Sequence, residues 1–252
     1  MIDSPLFYAF AIPAVLIMGV SKGGLASGLG IIATPLVALA VPAPQAAAIL
    51  LPILLVMDAV GLFAYRGVFD RRHLGQLLAG GITGIALGAL TFRYFSDALI
   101  RTMVGAMALA FVLIRLRAGL GEAPASAPSR AKGFFWSTLS GFTSTVSHAG
   151  GPPLSVYLLP LKLDKAVLVG TTVIFFAVIN AVKLVPYAWL GLFDARNLAT
   201  SLVLAPLAPV GILLGVRLQR RLPQEIFYRV AYTLLTIVGA KLLFDGTRAL
   251  LA

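Results

Sequence analysis

The sequence predicts an all-α polytopic membrane protein with two inverted repeats, each a re-entrant helical hairpin followed by three transmembrane helices. Three observations carry this prediction: the apolar composition, the similarity between the two halves, and the uneven distribution of cationic residues. Of the 252 residues, 60% are hydrophobic and only 12% are charged, and the mean hydropathy is +0.98. Because so few charges cannot cover a surface in water, the composition excludes a soluble domain and a disordered chain.

The first apolar run, 5–41, is too long for one straight crossing of a membrane. As a helix it would measure about 55 Å, whereas the hydrocarbon core of a bilayer is about 30 Å thick. It is interrupted at Ser-Lys-Gly-Gly, which begins at Ser21, and each of its two pieces is short for a full span. We therefore expect a hairpin here. Three full spans are predicted after it, at 45–65, 73–92 and 97–116.

A linker rich in Pro, Ala, Ser and Gly, 119–132, divides the chain near its centre. It separates a first transmembrane repeat, 1–118, from a second transmembrane repeat, 133–252. In the second repeat an apolar stretch reaches a Gly- and Pro-rich break at 148–153, and a short apolar run follows. Three full spans are predicted after this second hairpin, at 166–190, 197–216 and 226–251.

The two halves resemble each other in sequence. Five pairs of segments match in the same order, starting at Ser21 and Ser147, Pro35 and Pro160, Asp58 and Asn180, Gly67 and Gly191, and Gly84 and Gly211. Their offsets all lie between 122 and 127 residues, and in the last two pairs Gly-x-Phe-Asp and Gly-Ile-x-Leu-Gly recur. Collinear matches at nearly constant spacing indicate a duplicated unit.

The positions of the lysines and arginines predict the relative orientation of the halves. With a hairpin and three full spans per half, 13 cations lie on one side of the membrane and 4 on the other. If each broken segment crosses once, the division becomes 9 against 8. Cytoplasmic loops collect cations, so the first arrangement is favoured, with inverted halves and both termini outside the cytoplasm. Two short spans in place of each hairpin would leave the same orientation and stay open as an alternative.

The two breaks predict a binding site for a small anion. Their glycines allow tight turns and close approach of a ligand, and the helices that follow direct free N–H groups toward it. A cation site would require carboxylates, and the sequence places none near either break. The candidate binding residues are Ser21, Lys22, Gly23, Gly24, Ser27, Gly28, Ser144, Thr145, Ser147, His148, Gly150 and Gly151. In the alternative interpretation Lys22 snorkels to the interface, and the glycines and hydroxyls serve only helix packing and backbone bonding.

An ionisable residue in the middle of a span is a candidate for function by default. Asp58 is such a residue, and its counterpart in the second half is Asn180. Asp58 either pairs with Lys22 or Lys183, or carries a proton. Snorkelling of Lys183 toward the interface stays open as an alternative. The candidate coupling residues are His148, Asp58 and Asn180. Any proton dependence is predicted to run through His148, because histidine titrates near neutral pH without a large shift.

Several classes of protein are disfavoured by the same residues. The chain has no cysteine and only two histidines, and no residues have the spacing of metal ligands or of a nucleophile with its base. We therefore predict that it is not an enzyme and holds no metal or cofactor. The net charge of +11 is placed at the ends of spans, which favours membrane topology over a nucleic-acid partner.

Two stretches carry a resemblance to a known family: Ser21–Gly30, which reads SKGGLASGLG, and Ser144–Pro153, which reads STVSHAGGPP. With the central linker they resemble the TauE/SafE sulfite exporter family, also called the four-toluene-sulfonate uptake permeases, over nearly the whole chain. The resemblance implies a carrier of the bacterial inner membrane for sulfite, for organosulfonates such as sulfoacetate, or for related anions.

The residues and the resemblance together predict a secondary carrier that exports small sulfur-containing anions. The anion is expected at the midplane of the membrane, where the two Gly-rich breaks meet. An anion channel, a carrier of carboxylates and a carrier working in uptake stay open as alternatives. The predicted partners are the small anion and the lipid bilayer, with no nucleic acid, and a homodimer stays open.

Overall fold

A computed structural model describes residues 1–23, 29–92, 94–118, 127–219 and 224–251. Over these residues the chain forms helices and turns and contains no strand, so the predicted all-α class is confirmed. The helices are α1 (Pro5–Lys22), α2 (Ala33–Val37), α3 (Ala43–Ala64), α4 (Arg71–Phe92), α5 (Asp97–Ala118), α6 (Arg130–Ser147), α7 (Gly151–Leu158), α8 (Lys165–Trp189), α9 (Ala195–Leu204), α10 (Leu207–Gln219) and α11 (Gln224–Leu251). Short 3-10 turns precede α2 at Leu29–Ile32 and follow α7 at Leu159–Leu161.

Within the described ranges, six helical stretches are long and apolar enough to cross a membrane. They are Pro5–Lys22, Ala43–Phe63, Arg71–Thr91, Asp97–Ile114, Ala166–Trp189 and Ala195–Arg217. Five of them coincide with predicted spans, and the sixth is α1, which the sequence analysis assigns to a hairpin. With 18 residues, α1 is about 27 Å long, close to the thickness of the hydrocarbon core. The predicted span 226–251 forms most of α11, and most of the linker 119–132 lies outside the described residues.

The loops before α4 and α9 have the same geometry. Gly67 and Gly191 both adopt left-handed backbone, with φ of 75° and 70°, a conformation that glycine adopts without strain. Three residues later, Asp70 and Asp194 accept hydrogen bonds from backbone amides of the helices that begin there. A short side chain that accepts such bonds stabilises a helix start. The repeated Gly-x-Phe-Asp therefore encodes a repeated turn and helix cap.

Equivalent helices of the two halves make equivalent contacts. The pairs α4 with α6 and α10 with α1 pack closely, and α3 packs on α8 as α5 packs on α11. The pairs α4 with α8 and α3 with α9 complete the pattern. Each contact between two helices therefore recurs between the matching helices of the other half, or joins two helices that match each other.

Glycines bring these helices together. A methyl group placed on Gly84 of α4 would lie 2.0 Å from the carbonyl oxygen of Thr138 in α6. On the other side, a methyl group on Gly211 of α10 would lie 3.0 Å from the Cα atom of Gly19 in α1. Small residues allow helix backbones to approach closely inside a membrane, where burial of apolar side chains gives no driving force. The repeated Gly-Ile-x-Leu-Gly segment thus forms a packing face in both halves.

The equivalent long helices α3 and α8 run in opposite directions. Asp58 contacts Asn180, a methyl group on Gly61 would lie 2.9 Å from a methyl of Val173, and Leu51 packs with Tyr187. As the chain advances along α3, its contacts therefore move backward along α8. The helices α5 and α11 are also antiparallel. Their contacts are Thr102 with Gly246, Gly105 with Gly239, and Phe111 with Tyr232.

Candidate functional site

An ion pair joins the end of α1 to the long helix α3. Lys22, the last residue of α1, contacts Oδ1 of Asp58 through Nζ. The other carboxylate oxygen of Asp58 accepts a hydrogen bond of 2.6 Å from Nδ2 of Asn180 in α8. The side chain of Asp58 is 5% exposed, whereas that of Lys22 is 27% exposed. The carboxylate is therefore held between the two halves, and the side chain of Lys22 stays partly exposed.

A second polar cluster lies at the break between α6 and α7. Lys183 of α8 is fully buried, and its Nζ donates to the carbonyl oxygen of Ser144 at 3.1 Å and to Oγ of the same residue at 3.0 Å. It also lies 2.8 Å from Nδ1 of His148. The alternative that Lys183 snorkels is therefore wrong, since its amine turns inward to satisfy the end of α6.

The contacts of His148 define which ring nitrogen carries a hydrogen. Its Nε2 lies 2.9 Å from the carbonyl oxygen of Ala47 in α3, and a carbonyl can only accept, so Nε2 donates. Its Nδ1 lies 2.8 Å from Nζ of Lys183. Both ring nitrogens of His148 are therefore engaged.

The second break is built from satisfied backbone groups. His148 ends α6 in left-handed backbone with a φ of 55°. The carbonyl oxygens that follow it are used by α6 hydroxyls: Ser140 donates to Gly150 at 2.7 Å and Thr143 donates to Ala149 at 3.1 Å. A methyl group on Gly150 would lie 2.7 Å from the Ser140 carbonyl oxygen. The break is therefore a fixed turn that tolerates no side chain at Gly150.

The remaining hydroxyls at this break face their own helix. Thr145 donates to the Gly141 carbonyl at 2.9 Å, and Ser147 lies 3.4 Å from the Thr143 carbonyl oxygen. Both residues are buried. The carbonyl of Thr145 also accepts from the hydroxyl of Tyr187 at 2.6 Å. The Thr145 and Ser147 hydroxyls thus contact carbonyl oxygens of their own helix, and Gly151 forms the first residue of α7.

The first break is described up to Gly23. A methyl group on Gly23 would lie 2.4 Å from the carbonyl oxygen of Ile212 in α10, so the chain turns there directly against the other half. Ser21 accepts a hydrogen bond of 3.2 Å from the backbone amide of Gly30 across the break. Three candidate binding residues, Gly24, Ser27 and Gly28, lie outside the described residues.

The structure thus brings together Lys22, Asp58 and Asn180, and places Ser144 and His148 around Lys183. Lys183 was not among the residues predicted for the site. Its spacing of three residues from Asn180 places both on one helix face and could have indicated it. Over the described ranges, no three His, Asp or Glu side chains come close enough to hold a metal ion.

Comparison with known proteins places this geometry in a family. The family model described as "Sulfite exporter TauE/SafE" matches residues 11–242. A relative from Cupriavidus necator, named "Probable sulfite/organosulfonate exporter TauE", is 25% identical over 236 residues, which cover 92% of this chain and 88% of the relative. No solved structure matches the chain. The chain therefore belongs to the sulfite exporter TauE/SafE family, a family of multi-pass membrane transporters and not of enzymes.

Proposed function

We propose that this protein is a secondary carrier that exports small sulfur-containing anions, such as sulfite or organosulfonates, across the bacterial inner membrane. The observation that carries the proposal is Lys22, a partly exposed lysine at a helix break whose Nζ contacts only one carboxylate, Asp58, among the described residues. The substrate class is supported by the name of the relative from Cupriavidus necator. Export of an anion is favoured by an inside-negative potential, at about 2.3 kcal/mol per charge per 100 mV.

In this proposal the anion lies at the midplane of the membrane, where the two breaks face each other. Lys22 supplies the charge, and the buried end of α6 around Ser144 and His148 supplies polar groups. A charged group in a low-dielectric site interacts strongly with a ligand of opposite sign. The proposed site extends to the other predicted residues of both breaks: Ser21, Gly23, Gly24, Ser27, Gly28, Thr145, Ser147, Gly150 and Gly151.

Replacement of the ammonium group tests this site. Lys22→Gln keeps a polar side chain and removes the charge, and a charge-assisted contact contributes roughly 1.5–3 kcal/mol, or about 10- to 150-fold in affinity. We expect sulfite or sulfoacetate to bind the variant that much more weakly, measured by calorimetry on the purified protein. Lys241→Gln, which removes an exposed lysine from α11, is the matched control. Wild-type affinity in Lys22→Gln would place the anion elsewhere.

Transport in proteoliposomes separates a carrier from a channel. A carrier that alternates between two states shows a saturating flux and counterflow of labelled substrate. We expect both for sulfite or for an organosulfonate such as sulfoacetate. A flux that rises in proportion to concentration and shows no counterflow would contradict the carrier mechanism.

The two halves are proposed to be inverted repeats, each with a re-entrant hairpin before three spans. The antiparallel contacts of α3 with α8 and of α5 with α11 support an axis in the membrane plane, and so does the division of cations. Both termini are then outside the cytoplasm. A cysteine tag at Ala252 should react with a membrane-impermeant maleimide in intact spheroplasts. Labelling only after lysis would contradict this orientation.

Proton dependence of transport, where it is measured, is proposed to run through His148 and not through Asp58. Both carboxylate oxygens of Asp58 are already engaged, by Lys22 and by Asn180. The pH profile of transport should therefore flatten in His148→Gln and persist in Asp58→Asn. A profile that persists in His148→Gln and disappears in Asp58→Asn would reverse the assignment.

A further inference from the structure

The segment between α3 and the start of α4 carries three exposed arginines within seven residues: Arg66, Arg71 and Arg72. We call this segment, 66–72, the arginine loop. Two candidate membrane spans meet it, one ending at Phe63 and the other beginning at Arg71. Because a span ends where the hydrocarbon core ends, the arginine loop lies at the level of the phospholipid headgroups.

Aromatic rings hold two of these guanidinium groups. The Cζ atom of Arg66 lies 4.3 Å from the centre of the Phe63 ring. The Cζ atom of Arg71 lies 5.6 Å from the centre of the Phe69 ring. A contact with the face of a ring uses the positive charge of a guanidinium group but requires none of its five N–H donors. The two groups are therefore positioned while their donors stay usable for a ligand.

No described carboxylate neutralises the arginine loop. Elsewhere an exposed cation is paired within its own helix, as Lys241 is with Asp245. In the arginine loop, none of the three guanidinium groups lies within salt-bridge distance of a carboxylate among the described residues. Asp70 lies within the loop, but its two oxygens serve the first amides of α4 and the ring of His73. The three positive charges therefore lack an internal counter-charge in this part of the chain.

The arginine loop is fixed to α8. A methyl group on Gly170 would lie 1.8 Å from the carbonyl oxygen of Val68, so the loop backbone packs directly on this helix. The amide of Asp70 also donates to Oγ1 of Thr171 at 2.9 Å. Donors that are already in place lose less entropy when a ligand binds. The attachment to α8 thus favours binding at the arginine loop.

The matching loop of the second half has the same turn without most of the charge. Its turn glycine and its capping aspartate recur with the same geometry. However, Leu190 takes the place of Arg66, and Ala195 takes the place of Arg71. Only the third arginine recurs, as Arg196. Since the same turn forms without them, the two additional arginines are not needed for the backbone, which points to a role in binding.

We propose that the arginine loop binds the headgroup of an anionic phospholipid. Guanidinium groups bind phosphate oxygens through paired N–H donors. Next to Arg66, the apolar side chains of Leu62 and Phe63 are exposed on α3, the latter by 69%, and can contact acyl chains. A phospholipid supplies both the phosphate and the apolar part, whereas a free phosphate ion supplies only the first. The loop shares no residue with the anion site proposed at the two breaks.

Short-chain lipids test the wild-type protein. Dioctanoyl phosphatidylglycerol and dioctanoyl phosphatidylcholine have the same acyl chains, and only the first has a net negative charge. One arginine near a membrane surface contributes about fivefold to the affinity for an anionic lipid. We therefore expect the purified full chain, in a neutral detergent, to bind phosphatidylglycerol at least about tenfold more tightly, measured by native mass spectrometry. Equal affinities for the two lipids would overturn the proposal.

Inorganic phosphate separates a lipid site from a site for free phosphate. At a concentration equal to that of the lipid, it should leave phosphatidylglycerol bound, because it makes no contact with the apolar side chains of α3. Displacement of the lipid at equal concentration would show that the arginine loop takes free phosphate, and would overturn the assignment to a phospholipid.

The second half supplies the residues for the decisive variant. Arg66→Leu with Arg71→Ala installs the side chains of the matching loop, in which the same turn forms. We expect it to bind phosphatidylglycerol at least about tenfold more weakly than wild type. Arg196→Gln with Arg248→Gln is the matched control, because it removes two exposed arginines outside the arginine loop and lowers the net charge equally. It should keep the wild-type affinity.

The outcomes decide between a specific site and an effect of net charge. A folded loop variant with wild-type affinity would overturn the proposal, and so would equal weakening in the loop variant and the control. If the loop variant does not fold, the single changes Arg66→Gln and Arg71→Gln replace it, each with an expected loss of about fivefold. Wild-type affinity in both single variants would equally overturn the proposal.

Discussion

The two halves share a backbone and differ in charge. In the first half the helix before the break ends in a lysine, Lys22, and the following long helix carries a carboxylate, Asp58. In the second half the corresponding positions hold His148, whose ring contacts Lys183 and Ala47, and the amide of Asn180. Lys183 has no charged equivalent, since the matching position in α3 is Gly61. The comparison teaches that segments with matching loops and helix contacts can differ in their charged side chains.

The turns, helix caps and packing glycines, in contrast, occur in both halves. Gly67 and Gly191 make the same turn, and Asp70 and Asp194 cap the helices that follow. The repeated glycines of α4 and α10 bring these helices against the opposite half. The residues of the turns, caps and close helix contacts recur, whereas Lys22, Asp58 and Lys183 are matched by His148, Asn180 and Gly61.

The largest expected effect concerns the glycines at which helices pack, because the contact at Gly84 is closer than the contact at the matching Gly211. Gly84→Ala would place a methyl group 2.0 Å from the carbonyl oxygen of Thr138, whereas Gly211→Ala would place one 3.0 Å from its nearest atoms. Overpacking against backbone costs about 3 kcal/mol for the first and about 1 kcal/mol for the second. Chemical unfolding in detergent measures both.

Gly75→Ala is the control for this comparison. It lies in the same helix as Gly84, and a methyl group there would meet no atom within 4 Å. Alanine is more favourable than glycine inside a helix, so the free energy of unfolding should rise by about 0.5–1 kcal/mol. If Gly84→Ala is as stable as Gly75→Ala, the close contact between α4 and α6 is not present in solution.

The next effect concerns the position of the carboxylate. Asp58→Asn leaves Lys22 without a counter-charge, and we expect the free energy of unfolding to fall by about 2 kcal/mol, less than for a fully buried pair because Lys22 is partly exposed. The exchange Asp58→Asn with Asn180→Asp keeps one carboxylate in the same contact. It should lose less than half as much stability.

Unfolding titrations of the single and exchanged variants, in the same detergent, measure this difference. Recovery in the exchanged protein would mean that either half can hold the carboxylate. An exchanged protein as unstable as Asp58→Asn would show instead that the charge must lie on α3, and the expectation would be contradicted.

The smallest expected effect concerns the two helix caps. Asp70→Ala and Asp194→Ala each remove the side chain that accepts amides at a helix start, which costs about 1 kcal/mol. Both caps accept from backbone amides, and Asp70 also contacts Nδ1 of the His73 ring. Thermal unfolding of both variants should show similar losses at neutral pH.

The cap at Asp70 should also depend on pH. Burial raises the pKa of its carboxyl, but hydrogen bonds from the side chain and backbone of His73 outweigh burial and hold the pKa below the usual 3.8. Its contribution is therefore present above pH 3.8 and lost as the pH falls further. Asp70→Asn should flatten the decline of stability in this acidic range. An unchanged decline would contradict the cap.

Much of the architecture follows from the amino-acid sequence because its signals are local. The apolar composition determines a membrane protein, and five of the six candidate spans lie where apolar runs predict them. The repeats at Gly67 and Gly191 predict equal turns because a Gly followed by a capping Asp acts within a few residues. The two helix breaks at Gly23 and Gly150 are also predicted from the sequence, because glycine interrupts a helix locally.

The partners of the charged side chains were decided only by the tertiary structure. Sequence left Asp58 to pair with Lys22 or Lys183, and the packing of α1, α3 and α8 selects Lys22. Lys183 points inward because the end of α6 presents a carbonyl and a hydroxyl of Ser144 at its reach. These contacts join residues from 36 to 39 positions apart, across helices whose relative placement no local pattern encodes. Helix packing therefore decides which charged side chains pair, whereas the positions of the helices follow from local sequence.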